Sequence, residues 1–367
     1  MDSRLQNLRK LLLQENLDAV FVSSLPNIIY LSGFSDFTTF ERDGFLLVTQ
    51  KNQYIFTHGI YKEAVEKHVK NFSLIDIKRE NPISKSVKII IEKENITSLG
   101  FEAFDLKVNE FERLLTAIDK KMLKPTTVIS TLRAQKTSDE IKAIKKACAL
   151  GDKAFSFILD KLISGVSEKK IALEFEYFIK SHGATLSFDT IVAFGSHASK
   201  PHHVSTETKL KKNQFVLIDC GVKLNNYCSD MTRTIFFGKA TEKQKRAYKS
   251  VLTAQKKAIE LFTTMAKTQL KISVSAQALD KVARDYLTAN NFADMPHSLG
   301  HGIGLEVHES PRLTPLSEEE LQRGHVFSIE PGIYFPDKFG IRIEDIFAVA
   351  NDRLISLTKS PKKFIEI

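Results

Sequence analysis

Cysteine is scarce in this 367-residue chain, which has only Cys148, Cys220 and Cys228 and no CxxC pair. An odd, dispersed set of three does not make a disulfide scaffold, and we expect a cytoplasmic protein. Long apolar runs are also lacking: the longest have four or five residues, whereas a membrane-spanning helix needs about 20. Gln14 and Glu15 interrupt the leucines near the start, so no signal peptide is expected. With 43% hydrophobic and 26% charged residues, the chain is predicted to form two soluble globular domains of unequal size.

The net charge of +9 and pI of 9.2 raise the question of a nucleic-acid partner. The basic residues are mostly lysines spread through amphipathic segments, such as Lys142, Lys145 and Lys146. Nucleic-acid readers usually concentrate charge on one face, among aromatic side chains or forked arginines. We therefore expect a solvated lysine surface and no nucleic-acid partner.

Helical and strand-like periodicities alternate through the first 130 residues, which predicts an α/β layered domain. Helices are predicted at residues 4–14, 62–70 and 84–94, and strands at 18–23, 44–49, 53–56 and 72–77. A polar, basic stretch follows at residues 131–138, and Ser138 with its acidic successors predicts the start of a long helix. The domain boundary is placed there, between residues 134 and 135.

The second domain repeats one order of elements, in which a pair of helices precedes strand-like runs. The repeat predicts two related halves whose hairpins face each other. Its helices are predicted at 139–163, 168–182, 242–267 and 274–290, and its strands at 186–194, 215–222, 227–237, 326–334 and 341–350.

Each predicted hairpin carries a pair of acids in an apolar setting. A turn at residues 223–225 would place Asp219 opposite Asp230, and a turn centred on residue 337 would place Glu330 opposite Glu344. A single hairpin-end acid would usually pair with lysine or arginine. Two such pairs are costly to bury without cations, so we favour a metal site.

A histidine- and glycine-rich segment, residues 297–311, follows the last predicted helix. His297, His301 and His308 fall within twelve residues, and Gly300, Gly302 and Gly304 leave room around His301. No HExxH zinc motif is present. Four carboxylates with one imidazole favour two divalent ions, Mn²⁺ first with Co²⁺ or Zn²⁺ as alternatives. Two such ions would bridge a hydroxide nucleophile and polarise a carbonyl.

Together these segments resemble the metallopeptidases of the pita-bread fold, in particular the proline-specific branch with Xaa-Pro dipeptidase (prolidase) and Xaa-Pro aminopeptidase. The resemblance covers nearly the whole chain. It implies an α/β (α+β) fold: a creatinase/prolidase-like amino-terminal domain, residues 1–134, and a pseudo-twofold pita-bread catalytic domain, residues 135–367. The segments that carry it are residues 27–34, 131–141, 219–221, 227–233, 297–304, 308–311, 330–334 and 340–345.

The resemblance also implies a role for each site residue. The metal ligands would be Asp219, Asp230, His301, Glu330 and Glu344, with Asp230 and Glu344 bridging the two ions. Glu330 would be the general acid/base, and His202 and His308 would also act in catalysis. Substrate would contact His202, His297, His308, Tyr334 and Arg342.

Two details of these assignments depend on local sequence. His202 is chosen over His203 because it directly follows Pro201, and Arg342 is expected to orient Glu344 from the same strand face. In the first domain, residues 57–61 depart from the family pattern, which leaves open whether they contact substrate.

The predicted activity is hydrolysis of the Xaa-Pro bond in dipeptides or at the amino terminus of peptides, by a homodimer. Creatinase-like amidine hydrolysis, which does not use metals, and a catalytically inactive binding protein are the alternatives. Retention of all five metal-type residues disfavours both. The sequence leaves open the choice between dipeptides and longer peptides.

Overall fold

The structure is a computed structural model that describes residues 2–38, 41–267, 272–350 and 353–367. Chain contacts divide it into two compact units, Met1–Arg133 and Ala134–Ile367. The boundary placed from sequence lies one residue from this division. Among the described residues, no helix has both the length and the apolarity that crossing a bilayer requires.

The first unit is a six-stranded mixed sheet flanked by helices, in the order β4-β3-β2-β1-β5-β6. Strand β1 pairs antiparallel with β2 and parallel with β5. Helix α2, which contains a proline in its first turn, and the short elements after residue 98 escaped the sequence prediction. The elements are α1 (Asp2–Gln14), β1 (Ala19–Val22), α2 (Leu25–Ser32), β2 (Gly44–Thr49), β3 (Gln53–His58), α3 (Gly59–His68), β4 (Ser73–Ile77), α4 (Ile83–Glu94), β5 (Leu99–Phe101), α5 (Val108–Leu115), β6 (Leu123–Pro125) and α6 (Val128–Ala134).

The second unit begins with helix α7, and its start differs by one residue from the predicted start. Thr137, rather than Ser138, is the N-cap, because its hydroxyl accepts from the Glu140 backbone N–H while the Glu140 carboxylate accepts from the Thr137 N–H. Residues 128–134, part of which was predicted as a polar linker, form helix α6. Glutamate at the third helical position therefore marks the true cap.

The predicted repeat of helix pairs and hairpins is confirmed in the second unit. Helices α7 and α8 pack on one set of strands, and α9 and α10 pack on the other, around buried side chains such as Phe155, Phe175, Phe262 and Phe327. Each large apolar side chain buried in this way contributes about 1.5–3 kcal/mol. The helices are α7 (Ser138–Leu159), α8 (Glu168–Ser181), α9 (Glu242–Lys267) and α10 (Ala276–Ala289).

The strands of the second unit are more broken than predicted. The run at 186–194 splits in two because β7 pairs with β10 whereas β8 pairs with β9. The run at 326–334 breaks at Pro331, which has no N–H to donate to a sheet. The strands are β7 (Thr185–Leu186), β8 (Ile191–Phe194), β9 (Gln214–Cys220), β10 (Val222–Leu224), β11 (Tyr227–Cys228), β12 (Met231–Phe237), β13 (Val274–Ser275), β14 (Gly300–Gly302), β15 (Glu309–Leu313), β16 (Glu320–Leu321), β17 (Val326–Ile329), β18 (Gly332–Phe335), β19 (Phe339–Arg342), β20 (Asp345–Ala350) and β21 (Arg353–Ser356).

Candidate metal centre

The first pair of acids lies on the hairpin built from β9 to β12. Its turn is at Asn225 and Asn226, which both have positive φ (49° and 71°), one residue later than predicted. Asp219 therefore faces Thr232 instead of Asp230, and the predicted direct opposition is wrong. Asp230 precedes Thr232 by two residues, so the two acids are diagonal neighbours on one face of the hairpin.

The second pair of acids follows the predicted register. Ile329 faces Asp345 and Gly332 faces Arg342, so Glu330 and Glu344 are opposite each other across a turn near residue 337. Both acids lie where a strand is interrupted, between β17 and β18 and between β19 and β20. Their side chains can therefore leave the sheet and point toward a shared centre.

Thr232 joins the two hairpins. Its hydroxyl donates to Glu344 Oε2 at 2.7 Å, and its carbonyl accepts from the Glu344 N–H at 3.1 Å. Among the described residues, Arg342 makes no hydrogen bond to Glu344. It donates from Nη2 to Asp219 Oδ2 at 2.6 Å and from Nε to the Thr232 hydroxyl at 3.0 Å, so it reaches Glu344 through Thr232 and not directly. The guanidinium thus fixes Asp219, and the threonine, which the sequence analysis missed, fixes Glu344.

His301 lies on β14 with Nε2 directed at the acids. This nitrogen is 3.2 Å from Glu330 Oε1 and 3.7 Å from Asp230 Oδ2. The other ring nitrogen, Nδ1, donates to the Gly302 carbonyl at 3.1 Å, which leaves Nε2 free to act as a ligand. Gly300 is required here because a Cβ would stand 2.0 Å from the Ser328 carbonyl oxygen.

Burial raises the pKa of Asp219, Asp230 and Glu344. For Asp230 and Glu344 the neighbouring carboxylates raise the pKa further, whereas Arg342 opposes the rise at Asp219. Glu330 differs: burial would raise its pKa too, but the contact with His301, together with the nearby His297 and Arg342, outweighs burial and lowers the pKa to about 2. The histidine responds in the opposite direction, since Glu330 overcomes burial and raises the pKa of His301.

The acids have unused acceptor atoms. Asp219 Oδ1, Asp230 Oδ1 and Glu344 Oε1 are buried, and none of them has a hydrogen-bond partner in the part of the chain that the structure describes. Three orphaned carboxylate oxygens in one buried cluster are costly without a compensating charge. Asp230, His301 and Glu344 also present ligand atoms that all lie within 4.8 Å of one another. The donor set therefore fits divalent cations.

A cavity of about 510 Å³ opens beside the acids. The predicted substrate residues His202, His297, His308 and Arg342 line it, as do all five predicted metal ligands. Tyr334 is not among the lining residues but contacts two of them: its hydroxyl donates to His297 Nε2 at 2.9 Å and accepts from Arg342 Nη1 at 2.8 Å. The sequence-predicted residues thus converge on one site.

The tandem histidines after Pro201 have different surroundings. Both contribute to the cavity wall, but His202 is exposed there, whereas His203 is buried and donates from Nε2 to Glu168 Oε2 at 2.9 Å. His308 packs edge-on against His301, with ring centroids 4.3 Å apart. Burial, and then the nearby His301, lower the pKa of His308 to about 4.

Sequence reasoning missed several residues of the cavity wall, including Phe188, Ile191 and Arg312. Arg312 follows His308 by four residues and lies opposite His301 in the pairing of β14 with β15. Its exposed guanidinium places a positive charge at the cavity. An arginine directly after Pro311, the last residue of the 297–311 segment, was the available signal.

Residues 142–351 match the family model described as metallopeptidase family M24, and residues 4–135 match the creatinase/prolidase N-terminal domain. The chain belongs to metallopeptidase family M24. It is 34% identical over 368 residues to the Xaa-Pro dipeptidase of Pyrococcus horikoshii, covering 100% of this chain and 99% of that protein.

Two solved structures extend the likeness to three dimensions. An Xaa-Pro dipeptidase from Bacillus anthracis superimposes with a TM-score of 0.90 at 32% identity, covering 100% of this chain and 99% of that one. An X-Pro aminopeptidase from Thermotoga maritima gives a TM-score of 0.84 at 28% identity, with 96% and 98% covered. The predicted M24 resemblance and fold class, an amino-terminal creatinase-like domain followed by a pita-bread domain, are confirmed.

Proposed function

We propose that this chain is a metal-dependent exopeptidase that hydrolyses the bond between an amino-terminal residue and proline. The observation that carries the proposal is the cluster of four carboxylates around His301, three of them buried, in which three acceptor oxygens have no hydrogen-bond partner among the described residues. Two divalent cations held by Asp219, Asp230, His301, Glu330 and Glu344 would satisfy it. Full-length relatives named Xaa-Pro dipeptidase support the choice of substrate.

The oxygen-rich donor set favours Mn²⁺, with Co²⁺ or Zn²⁺ as alternatives. When bound, such ions polarise the scissile carbonyl and lower the pKa of water enough to supply a nucleophile at neutral pH.

Glu330 is the proposed proton carrier of the reaction. It is half-buried beside the cavity, and the Ser328 hydroxyl donates to its Oε1 at 3.1 Å. An ionised carboxylate at this position accepts the proton of the attacking water and passes it to the proline nitrogen as the C–N bond breaks. The proline nitrogen leaves as a neutral amine only if it gains a proton when the C–N bond breaks, and this transfer supplies that proton.

The histidines and Tyr334 are proposed to hold the peptide. With a pKa near 4, His308 is neutral at pH 7 and can donate one hydrogen bond to the carbonyl oxygen as negative charge develops there. Burial likewise lowers the pKa of His297, which stays neutral in its contact with Tyr334. His202, which is exposed at the cavity, is proposed to contact the substrate from a different part of the chain than His297 and His308.

Dipeptides are the proposed preferred substrates. A dipeptide ends in a carboxylate directly after proline, and the guanidinium of Arg312 at the cavity wall provides a cation for it. In a longer peptide a neutral amide follows the proline instead of a carboxylate, so the guanidinium of Arg312 stabilises its binding less. Cleavage of longer Xaa-Pro peptides is the second candidate, favoured by the structural likeness to the Thermotoga maritima X-Pro aminopeptidase.

The remaining parts of the sequence-based hypothesis, a homodimer in the cytoplasm with no nucleic-acid partner, stay predictions. Light scattering after size exclusion tests the oligomeric state directly.

The test compares hydrolysis of Ala-Pro, Ala-Pro-Ala and a longer Xaa-Pro peptide after metal-free protein is supplied with Mn²⁺, Co²⁺ or Zn²⁺. Ala-Ala controls for proline selectivity, and creatine tests amidine hydrolysis. We expect cleavage of Ala-Pro with added metal and a loss of about 10-fold or more in Arg312→Gln, most of it on the dipeptide. Absence of Xaa-Pro turnover with every metal would refute the proposed function, and an equal effect of Arg312→Gln on all three peptides would refute the dipeptide preference.

A further inference from the structure

Glu168 is a fully buried carboxylate with no part in the proposed chemistry. It lies in the first turn of α8, after the N-cap Ser167, and its exposure is 0%. A carboxylate buried without partners would be strongly destabilising. Glu168 is instead surrounded by donors, and hydrogen bonds from His203, Phe194 and Thr206 overcome burial to lower its pKa.

The donors to Glu168 come from both ends of one loop, residues 194–206. At the start of the loop, the Phe194 backbone N–H and His197 Nδ1 each donate to Oε1 at 2.8 Å. At its end, His203 Nε2 donates to Oε2 at 2.9 Å, and Thr206 donates its backbone N–H at 3.0 Å and its hydroxyl at 2.7 Å. One side chain thus closes the loop.

The same loop carries His202 to the substrate cavity. His202 stands next to His203, whose ring is fixed by Glu168 and packs against His197 with centroids 4.4 Å apart. Exposed side chains on a loop have many conformations unless the backbone beneath them is held. The ring of His203 is therefore the anchor closest to His202.

We propose that Glu168 and His203 are positioning residues, which hold the loop so that His202 faces the substrate. The inference rests on the proposed function. A metal ion is a competing explanation, since Glu168, His197 and His203 present ligand atoms within 4.8 Å of one another. Hydrogen bonding accounts for the cluster better, because each carboxylate oxygen already accepts a backbone N–H as well as a ring N–H.

The test is a double-mutant cycle on Ala-Pro hydrolysis. Glu168→Gln keeps the shape but turns an NH₂ group toward donors, and it is expected to lower kcat/KM at least about 10-fold in the wild-type background. In a His202→Ala background the same change is expected to cost less than about 2-fold, because the side chain being positioned is gone. Glu174→Gln on the same helix, whose carboxylate pairs only with Lys161 and Lys170 among the described residues, is the matched control and should behave as wild type.

A second pair of variants keeps the test decisive if Glu168→Gln does not fold. His203→Gln retains an N–H donor near the position of Nε2 and should keep most of the activity, whereas His203→Ala should lose it. Equal losses with and without His202, or a His203→Gln variant no better than His203→Ala, would overturn the positioning role. A fall in bound metal per chain in Glu168→Gln would show that the cluster is a metal site instead. Wild-type protein that cleaves no Xaa-Pro peptide with any metal would refute the proposed function, and a wild type that cleaves only longer peptides would be tested by the same cycle on Ala-Pro-Ala.

Discussion

Replacing Asp230 by asparagine should stabilise the protein when metal is absent, although it removes a proposed metal ligand. Burial, and then Glu344, Asp219 and Glu330, raise the pKa of Asp230 well above its ordinary value, which means that its charge is unfavourable in the metal-free fold. Asparagine has nearly the same shape and no charge. The metal-free variant therefore lacks the repulsion between residue 230 and the neighbouring carboxylates. The metal-free wild type retains that repulsion unless one of its carboxylates takes up a proton.

The size of the effect follows from the distance between the acids. Ligand oxygens of Asp230 and Glu344 lie within 4.8 Å, and two unit charges at that distance repel by about 3.5 kcal/mol at an effective dielectric constant of 20. The wild-type protein can relieve part of this repulsion by protonating one carboxylate, and the free energy of that protonation changes by about 1.4 kcal/mol for each pH unit. A net gain of about 1–3 kcal/mol is expected, which corresponds to about 2–4 °C of melting temperature per kcal/mol in a unit of this size.

The assay is thermal unfolding with a chelator and with excess Mn²⁺. Wild-type protein should gain about 2.7 kcal/mol at a metal concentration of 100 Kd, whereas Asp230→Asn should respond weakly or not at all. Asp139→Asn, at an exposed acid on α7, controls for the loss of one charge and should change stability by less than about 0.5 kcal/mol. A metal-free Asp230→Asn protein that melts below the wild type, or that keeps the full response to Mn²⁺, would refute the reasoning.

Three further predictions concern the same unit. Glu330→Gln should lower kcat on Ala-Pro by about 10²-fold or more while circular dichroism stays unchanged, because the amide cannot accept the water proton; an undiminished rate would contradict the role. Cation binding should strengthen as pH rises through the raised pKa values of Asp230 and Glu344, and below those values it should release protons, because a bound cation displaces them from the carboxylates. Calorimetry in buffers of different ionisation enthalpy, repeated over a range of pH, measures the release. A binding heat that is independent of the buffer at every pH would argue against it. Gly340→Ala should lower the denaturant midpoint of unfolding by an amount equivalent to about 1–3 kcal/mol, because the added Cβ would stand 1.9 Å from the Ala198 carbonyl oxygen. Gly59→Ala is the control: its added Cβ would have nothing within 4 Å, so the midpoint should change little.

The sequence predicted the acids better than the geometry that surrounds them. Glu330 and Glu344 were paired correctly because the turn between them is centred midway. Asp219 was mispaired because the turn at Asn225 and Asn226 was placed one residue too early. Two successive asparagines are a strong signal for a turn with positive φ, and weighing that signal would have given the right register.

Contacts between distant segments were beyond reach of sequence patterns. Arg342 was expected to act on its neighbour Glu344, yet it bonds to Asp219, 123 residues away in the chain. Glu168 was not singled out from the sequence, because nothing local shows that residues 194–206 fold back over it. Such partners are set by tertiary packing, which hydrophobic periodicity does not encode.

A crystal structure of the protein loaded with Mn²⁺, with anomalous diffraction used to locate the ions, tests the central claim most directly. Two anomalous peaks are expected, each within about 2.0–2.3 Å of ligand atoms from Asp219, Asp230, His301, Glu330 and Glu344. No peak or a single peak among these residues in fully loaded protein, or peaks only beside Glu168, would contradict it.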